Sequence, residues 1–355
     1  MPRTKDRSPR PIVQTDRKAT IGDVAALAGV SVGTVSNVIN GRTTVSAKRK
    51  EKVEQAIKAL SFSGSLLAKG MRSQRYPVVG LCVPNMTSSN FVHMSDALEG
   101  HATAADFELV HVITRHDPAR EQARVERLIA SRASGVLILP TRRGDPALAK
   151  LAASAMPTVM INRFVEDELG ADQVLVDHRS AFRRATLNLI EWGYERLIVA
   201  TQFPNFSVVR QNIIGMRDAI EESGRSVELE ILKCGKSQGE FRDMLASVLP
   251  AADPRCVVVA SSSLLAAWAI EAMRTLGLRY PDDVGLLCAE EPVWAQAIWP
   301  TLSCVQQPTR ELAQIAWDLL ARRMSGAGEA PITIRCDARV NFRGSVKSKQ
   351  RATSG

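Results

Sequence analysis

The sequence predicts an α/β chain in two parts: an N-terminal all-α helix-turn-helix headpiece, then a two-lobed core of parallel sheets flanked by helices. Three observations carry this. Residues 20–40, TIGDVAALAGVSVGTVSNVIN, fit two short amphipathic helices about one glycine. From Pro77 onward, short apolar β-rich runs alternate with helical stretches, the pattern of buried parallel strands joined by crossover helices. Charge divides at the same point, because residues 1–76 hold 15 Lys and Arg against 5 Asp and Glu while the remaining 279 residues hold 31 against 32. With 45% apolar residues over 355 positions the chain can bury a large core, split between the lobes.

In the headpiece, Thr20 suits a helix N-cap, with Asp23 three residues on to complete a capping box. Ile21, Val24, Ala25 and Ala28 then form one apolar face. Gly29 supplies a positive-φ corner, Val30 fills the gap between helices, and Ser31 caps a second helix whose Val35, Val38 and Ile39 point inward. Val32, Gly33, Ser36 and Asn37 are expected to face outward. A second helix of this kind lies in a DNA major groove, first residues at base edges and hydroxyls on phosphates. Thr34, Ser36 and Asn40 suit the phosphate role, and the caps Thr20 and Ser31 complete the candidate set on this element. The local excess of positive charge points the same way, since a polyanion gains counterion-release free energy from such a patch. An ordinary amphipathic pair in a larger core would leave that charge distribution unexplained.

Ser46 is placed to cap a third helix with Val53, Ala56, Ile57 and Leu60 as its buried stripe, under a basic face of Lys48, Arg49, Lys50 and Lys52. Residues 1–18, with six basic and two acidic side chains and three prolines, have the composition of an unfolded arm.

The words AALAGVS, TVSNVIN and VSAKRKEKVEQAIKAL resemble the DNA-binding headpiece of the lactose-repressor (LacI/GalR) family from Ala19 to Met71. The resemblance implies that SFSGSLLAKGMRS is a hinge that becomes helical on operator DNA, with Met71 as an apolar minor-groove wedge. Lys69 and Arg72 flank it as phosphate contacts. The family pattern has Pro-Asn where this chain has Gly64 and Ser65, and Gly70 inside a hinge helix costs about 1 kcal/mol relative to Ala, so a looser hinge is expected. A plain flexible linker is the competing reading.

The core runs read in order as strands: VVGLCV, FELVHVI, GVLILP, TVMIN, QVLV, RLIVAT, VELEIL, CVVVAS and VGLLCA. Helices fit between them, for example from Ala119 to Ser131 after Asp117 and Pro118, from Arg179 to Trp192 before Gly193, and from Leu264 to Leu276 before Gly277. SGVLIL, PTVMINR, VLVDHRSAFRRATLNLIEWGYERL and WPTLSCVQQPTRELAQIAWDLL resemble the periplasmic-binding-protein-like core of the same family, extending the likeness over residues 19–342. The expected division is an arm at 1–18, headpiece at 19–62, hinge at 63–76, core at 77–345 and tail at 346–355. Within the core, the N-lobe is expected at about 77–174 and 307–336 and the C-lobe at about 175–306 and 337–345.

In such folds a small ligand binds between the lobes at the carboxyl ends of strands. The candidates are Asn162 and Arg163 after TVMI, Arg210 and Asn212 before Gly215, Ser261 and Ser262 after CVVVA, Glu290 after VGLLCA, and Phe91 in TSSNF. The family pattern has Arg in place of Asn212, Asn-Asp at Ser261 and Ser262, Gly-aromatic at Cys288 and Ala289, and Asp at Glu290. Such changes point either to a site retuned for another sugar-like effector or to an idle site whose regulator responds to a protein partner.

Enzymatic readings find little support: the sequence has no P-loop, no G-x-G-x-x-G after a strand, no G-x-S-x-G and no H-E-x-x-H. His93, His101, His111, His116 and His178 lack ligand partners at metal spacing, so no metal or cofactor is expected. His111 reads as a core residue, and His178 as structural or at the cleft edge. The six cysteines, Cys82, Cys234, Cys256, Cys288, Cys304 and Cys336, read as buried free thiols of a reducing compartment. No secretory signal or membrane-length apolar run is expected, which disfavours an exported solute-binding protein. One headpiece reads one half-site, so a homodimer on near-palindromic double-stranded operator DNA follows. The basic residues after Asp337 carry no Leu heptads for a tetramer coil. The expectation is a cytoplasmic bacterial transcription regulator, repressor by resemblance, gated by a small sugar-like effector.

Overall fold

Residues 19–39, 45–60, 76–141, 146–163, 170–249 and 251–347 are described by the computed structural model. The chain divides into two units, Met1–Tyr76 and Pro77–Gly355. The expected arm, Asn40, the hinge positions Gly64, Ser65, Lys69, Gly70, Met71 and Arg72, and most of the tail lie outside the described residues, as does the side chain of Ile39.

In the first unit, α1 (Ile21–Ala28) begins with the expected capping box: Thr20 Oγ1 accepts from Asp23 N at 3.3 Å, and the Asp23 carboxylate accepts from Thr20 N at 2.7 Å. It ends at Gly29, whose φ of 62° lets its N–H reach the Ala25 and Ala26 carbonyls. After this corner α2 (Val32–Ile39) starts, with Ser31 Oγ accepting from Thr34 N at 3.2 Å. The helix pair turns by 99° at the break, within the range of helix-turn-helix units. Ser46 does occupy the N-cap of α3 (Ala47–Ala59), but its hydroxyl makes no capping bond. Val24, Val35 and Val53 are fully buried where the three helices meet, with Ala25, Ala28 and Ala56 around them. Each such valine contributes about 1.5–3 kcal/mol, a large share for a unit this small.

The second unit holds two six-stranded sheets. The first is built from β1 (Tyr76–Val83), β2 (Glu108–Ile113), β3 (Ala133–Ile138), β4 (Thr158–Ile161), β5 (Asp172–Val176) and a strand from far downstream, Thr333–Cys336, in the order that places this late strand beside β5. Helices α4 (Ser89–Ala104), α5 (Pro118–Ala130) and α6 (Pro146–Ala153) connect its early strands. The chain then crosses at Asp177 into α7 (His178–Glu191), β6 (Arg196–Thr201), α8 (Ser207–Ser223), β7 (Glu228–Lys233), α9 (Gln238–Val248), β8 (Cys256–Ala260), α10 (Ser263–Thr275), β9 (Gly285–Cys288) and β10 (Ser303–Gln306). It returns at Gln307 to α11 (Thr309–Met324) and β11 (Thr333–Cys336), and crosses a third time to β12 (Arg339–Asn341), which pairs antiparallel with β10. The first sheet therefore keeps all of β5 to Val176, two residues beyond the boundary expected from the sequence.

The strands β3, β4, β5, β8 and β9 are buried at every position, as continuous apolar runs in parallel sheets must be. Asp117 caps α5 by accepting from Ala119 and Arg120 N–H groups, and Pro118 stands at the first helical position, where a missing N–H costs nothing. On the second sheet, α7 and α8 cross at backbone contact, because Gly215 faces the Arg179 carbonyl and leaves only 3.0 Å from an added Cβ to Arg183 N. The alternation missed in the sequence concerns β10, β11 and β12, whose runs are only three or four residues long. His111 is exposed rather than part of the core, because β2 is an edge strand. All six cysteines are buried and unpaired. Among the described residues no helix is long and apolar enough to cross a membrane, and no cluster of His, Cys, Asp and Glu is arranged to hold a metal.

Candidate functional site

In the helix-turn-helix unit the second helix presents Val32, 48% exposed, Gly33, exposed, and Asn37, half-buried. Thr20 and Ser31 are exposed at the helix starts, and half-buried Thr34 shares a hydroxyl contact of 3.0 Å with Ser31. Ser36 departs from expectation. It is 3% exposed, because it follows Val35 on the side of α2 that meets the other helices, and a serine is small enough to pack there. The outward set of this helix is thus Val32, Gly33 and Asn37 without Ser36.

In the second unit the carboxyl ends of both sets of parallel strands converge on a cavity of about 340 Å³. From the first lobe come Asn85, Ser88, Asn90 and Phe91 after β1, His116 after β2, Leu139 after β3, and Asn162 and Arg163 after β4. The second lobe supplies Gln202, Phe203 and Phe206 after β6, Ser261, Ser262 and Ser263 after β8, Glu290 after β9, and Gln307 after β10. Of the sequence candidates, Phe91, Asn162, Arg163, Ser261, Ser262 and Glu290 line this cavity.

Arg210 and Asn212 do not. Val208 and Val209 at the start of α8 reach the cavity, and Arg210, a further 100° around the helix, points to solvent. Asn212 shares the face of Val208 and Val209 one turn deeper, where it is 3% exposed and its Oδ1 has no hydrogen-bond partner.

Three sets of contacts join the lobes across the cavity. The aromatic set stacks Phe203 on Phe206, ring centroids 4.6 Å apart and planes within 6°, with the His116 ring at 4.9 and 5.1 Å from them. The Arg163 guanidinium stands 4.5 Å above Phe206, a cation–π geometry, while donating to the carbonyls of Pro140 and Thr141 at 2.6 and 2.9 Å. Burial lowers the Arg163 pKa to about 10, against the opposing pull of Glu121, whose carboxylate is itself fully buried and accepts from the Thr141 N–H and hydroxyl. His116 is pushed down to about 4 by burial first and by the Arg163 charge second, so its ring is neutral at pH 7.

The polar contact is built on Glu290. Its Oε2 accepts from Ser88 Oγ at 2.6 Å and Asn90 Nδ2 at 3.3 Å, both at the start of α4, while Oε1 accepts from Ser263 N at 2.5 Å at the start of α10. Asn162 joins a third chain at the crossovers. Its Nδ2 donates to Gln307 Oε1 at 3.0 Å, and its Oδ1 lies 3.1 Å from His178 Nε2. His178 is fully enclosed, its Nδ1 has no partner, and burial lowers its pKa to about 4 despite the neighbouring Asp177. Three non-glycine residues at or beside this cleft, Arg115, His116 and Asn162, have φ of 53–58°. Backbone held in that region is strained and concentrates at ligand clamps and switch segments.

Asn85, Ser88, Asn90, His116, Gln202, Phe203, Phe206 and Gln307 were not singled out from sequence. Asn85, His116 and Gln202 each follow a legible strand within three residues, so a polar residue just past a strand end is the signal that finds them. Gln307 follows β10, which was not legible.

The family model described as bacterial regulatory proteins, lacI family, matches residues 20–65, and the model described as periplasmic binding proteins and sugar binding domain of LacI family matches residues 76–329. The chain is 25% identical over 342 residues to the HTH-type transcriptional regulator KdgR of Bacillus subtilis, covering 94% of this chain and 99% of that one. It is 28% identical over 312 residues to the ribose operon repressor of Escherichia coli K12, covering 86% and 93%. Among solved structures, a transcriptional regulator CelR–cellobiose complex is similar with a TM-score of 0.68 at 25% identity, over 92% of this chain and 99% of that one. The lac repressor dimer bound to operator and the anti-inducer ONPF shares the fold with a TM-score of 0.80 at 20% identity, over 94% and 100%.

Proposed function

The chain belongs to the LacI family of bacterial regulatory proteins, and on that premise we propose that it is a sequence-specific DNA-binding repressor whose operator affinity is set by a small effector in the interlobe cleft. The observation that carries this reading is one chain holding both a helix pair turned by 99° and a 340 Å³ cavity ringed by the ends of two parallel sheets. The first is the geometry of a major-groove reader and the second that of a lobe-closing receptor. The effector is of carbohydrate class, in keeping with relatives named for ribose and cellobiose. Hydroxyl and amide groups beside aromatic faces suit such a ligand: Ser261, Ser262 and Gln202 for its hydroxyls, Phe91, Phe203 and Phe206 for its apolar face.

Base reading falls to Val32, Gly33 and Asn37. Val32 can touch a thymine methyl, Gly33 allows close approach, and of these three only Asn37 hydrogen-bonds a base edge. Thr34 and Asn40 take phosphates, with Thr20 and Ser31 beside them. With so little direct readout, much of the specificity comes from deforming the step that Met71 opens, with Lys69 and Arg72 on the flanking phosphates. The protein acts as a homodimer in the cytoplasm. The regulatory reading includes no catalysis.

The test is a footprint of the purified full chain on DNA upstream of its own gene, titrated in salt. A protected near-palindrome whose affinity falls steeply with salt is expected. The absence of any specific footprint would overturn the reading in favour of a solute-binding protein.

A further inference from the structure

We propose that Glu290 is a lobe latch with which the effector competes: its carboxylate fastens the second lobe to the first through Ser88 and Asn90, and a ligand's donors act by taking their place. The proposal rests on the effector-gated reading above and adds how the cleft is regulated.

The carboxylate has two oxygens with separate tasks. Oε1 is fixed within its own lobe by the Ser263 N–H at the start of α10, where the helix dipole favours a negative group. Oε2 faces the other lobe and is shared by Ser88 Oγ, at 2.6 Å, and Asn90 Nδ2, at 3.3 Å, some two hundred residues away in sequence. Anchored at one end and offered at the other, Glu290 is a tie between the two lobes rather than a solvated strand end; it is 6% exposed. Both donors sit at the N-terminal turn of α4, next to Phe91 in the lining, so the tie lies inside the proposed ligand volume.

A hydrogen bond to a charged acceptor is among the stronger polar contacts, and removing two of them changes a lobe equilibrium by about tenfold or more. A ligand hydroxyl that reaches Oε2 has to displace Ser88 or Asn90, which makes binding and release of this tie one event. The ligand's portion at Glu290 is therefore a hydrogen-bond donor and carries no negative charge, since a second carboxylate or a phosphate there would face Glu290 directly. The aromatic contact of His116 and Arg163 with Phe203 and Phe206 also bridges the lobes, but it does so through ring faces and a guanidinium, not through a hydrogen bond that a ligand hydroxyl takes over.

The test measures lobe separation directly. All six native cysteines are buried, so spin labels attached to Arg124→Cys on α5 and Arg274→Cys on α10, both exposed in the parent chain, report one distance across the lobes. Labelled full chain is diluted with a large excess of unlabelled chain so that pairs within one chain dominate. The parent should give one short distance; Ser88→Ala with Asn90→Ala should add a longer one, and Ser88→Thr, which keeps the hydroxyl, should restore the short one. The single Ser88→Ala variant should give an intermediate population. An identical distance distribution in parent and double variant, or a parent already dominated by the longer distance, overturns the latch. Because neither DNA nor effector is present, that failure leaves the regulator reading standing, whereas a missing footprint would remove the regulator reading without touching the distances.

Discussion

Replacing Gly215 with Ala perturbs a backbone-level helix contact in the second lobe. A methyl there would land on the Arg179 carbonyl oxygen of α7 and lie 3.0 Å from Arg183 N, so the obstacle is backbone that no rotamer change relieves. Ordinary contact at about 3.4 Å or more requires α7 and α8 to separate by roughly 1 Å. That separation loosens the apolar seam in which Ala181, Phe182, Val209, Ile213 and Met216 are buried. Overpacking a tight site costs about 1–3 kcal/mol, and rigid backbone puts this one at the upper end. Alanine recovers about 1 kcal/mol of helix propensity, leaving a net loss of about 2 kcal/mol. For a unit of this size the melting temperature should fall by about 5 °C, with a lower urea midpoint at unchanged slope. Gly239→Ala in α9 is the matched control: an added Cβ meets nothing within 4 Å, so the variant should gain a few tenths to about 1 kcal/mol. Equal stability of Gly215→Ala and the parent would refute the backbone-contact account of this helix pair. Because Val208 and Val209 enter the cavity from the same helix, ligand affinity should fall along with stability.

His178, whose folded pKa of about 4 lies below its unfolded value of roughly 6.5, stabilises the fold above pH 6.5 and loses that contribution as pH falls from 6.5 to 4. The loss is about 3 kcal/mol, and urea titrations between pH 7.5 and 4.5 should show a shallower pH slope for His178→Gln than for the parent. Asn37→Ala should weaken operator binding by about 1–3 kcal/mol while leaving binding to random DNA nearly intact, as read by competition gel shifts. Replacing Lys69 or Arg72 should weaken binding to all sequences and flatten the salt dependence. Met71→Ala should reduce DNA bending and discrimination at the central step; unchanged affinity and bending would remove the indirect-readout argument.

The headpiece was legible because its signals are local. Thr20, Asp23, Gly29 and Ser31 act within a few residues of themselves, and each makes the backbone bond its position implies. Ser36 is polar yet buried, because position on the helix relative to its neighbours decides burial, not polarity. In the core, long buried strands announced themselves, and the polar residues ending them gave Asn162, Arg163, Ser261, Ser262 and Glu290. Arg210 and Asn212 were expected from polar positions just before Gly215, yet α8 presents Val208 and Val209 to the cavity instead. The stack of His116, Phe203 and Phe206 was illegible for another reason. It joins residues almost ninety positions apart in opposite lobes, and only the lobe geometry brings them together.

Occupancy of the cleft should change the protein's affinity for DNA. The most direct test is the dissociation constant of the full chain for its own operator, measured with and without neutral sugars, glycosides, sugar acids and sugar phosphates whose binding is followed in parallel. One compound, with hydroxyls to offer Glu290, should bind and shift the operator constant by about 5- to 150-fold. A compound that binds the cleft and leaves the operator constant unchanged would contradict the claim.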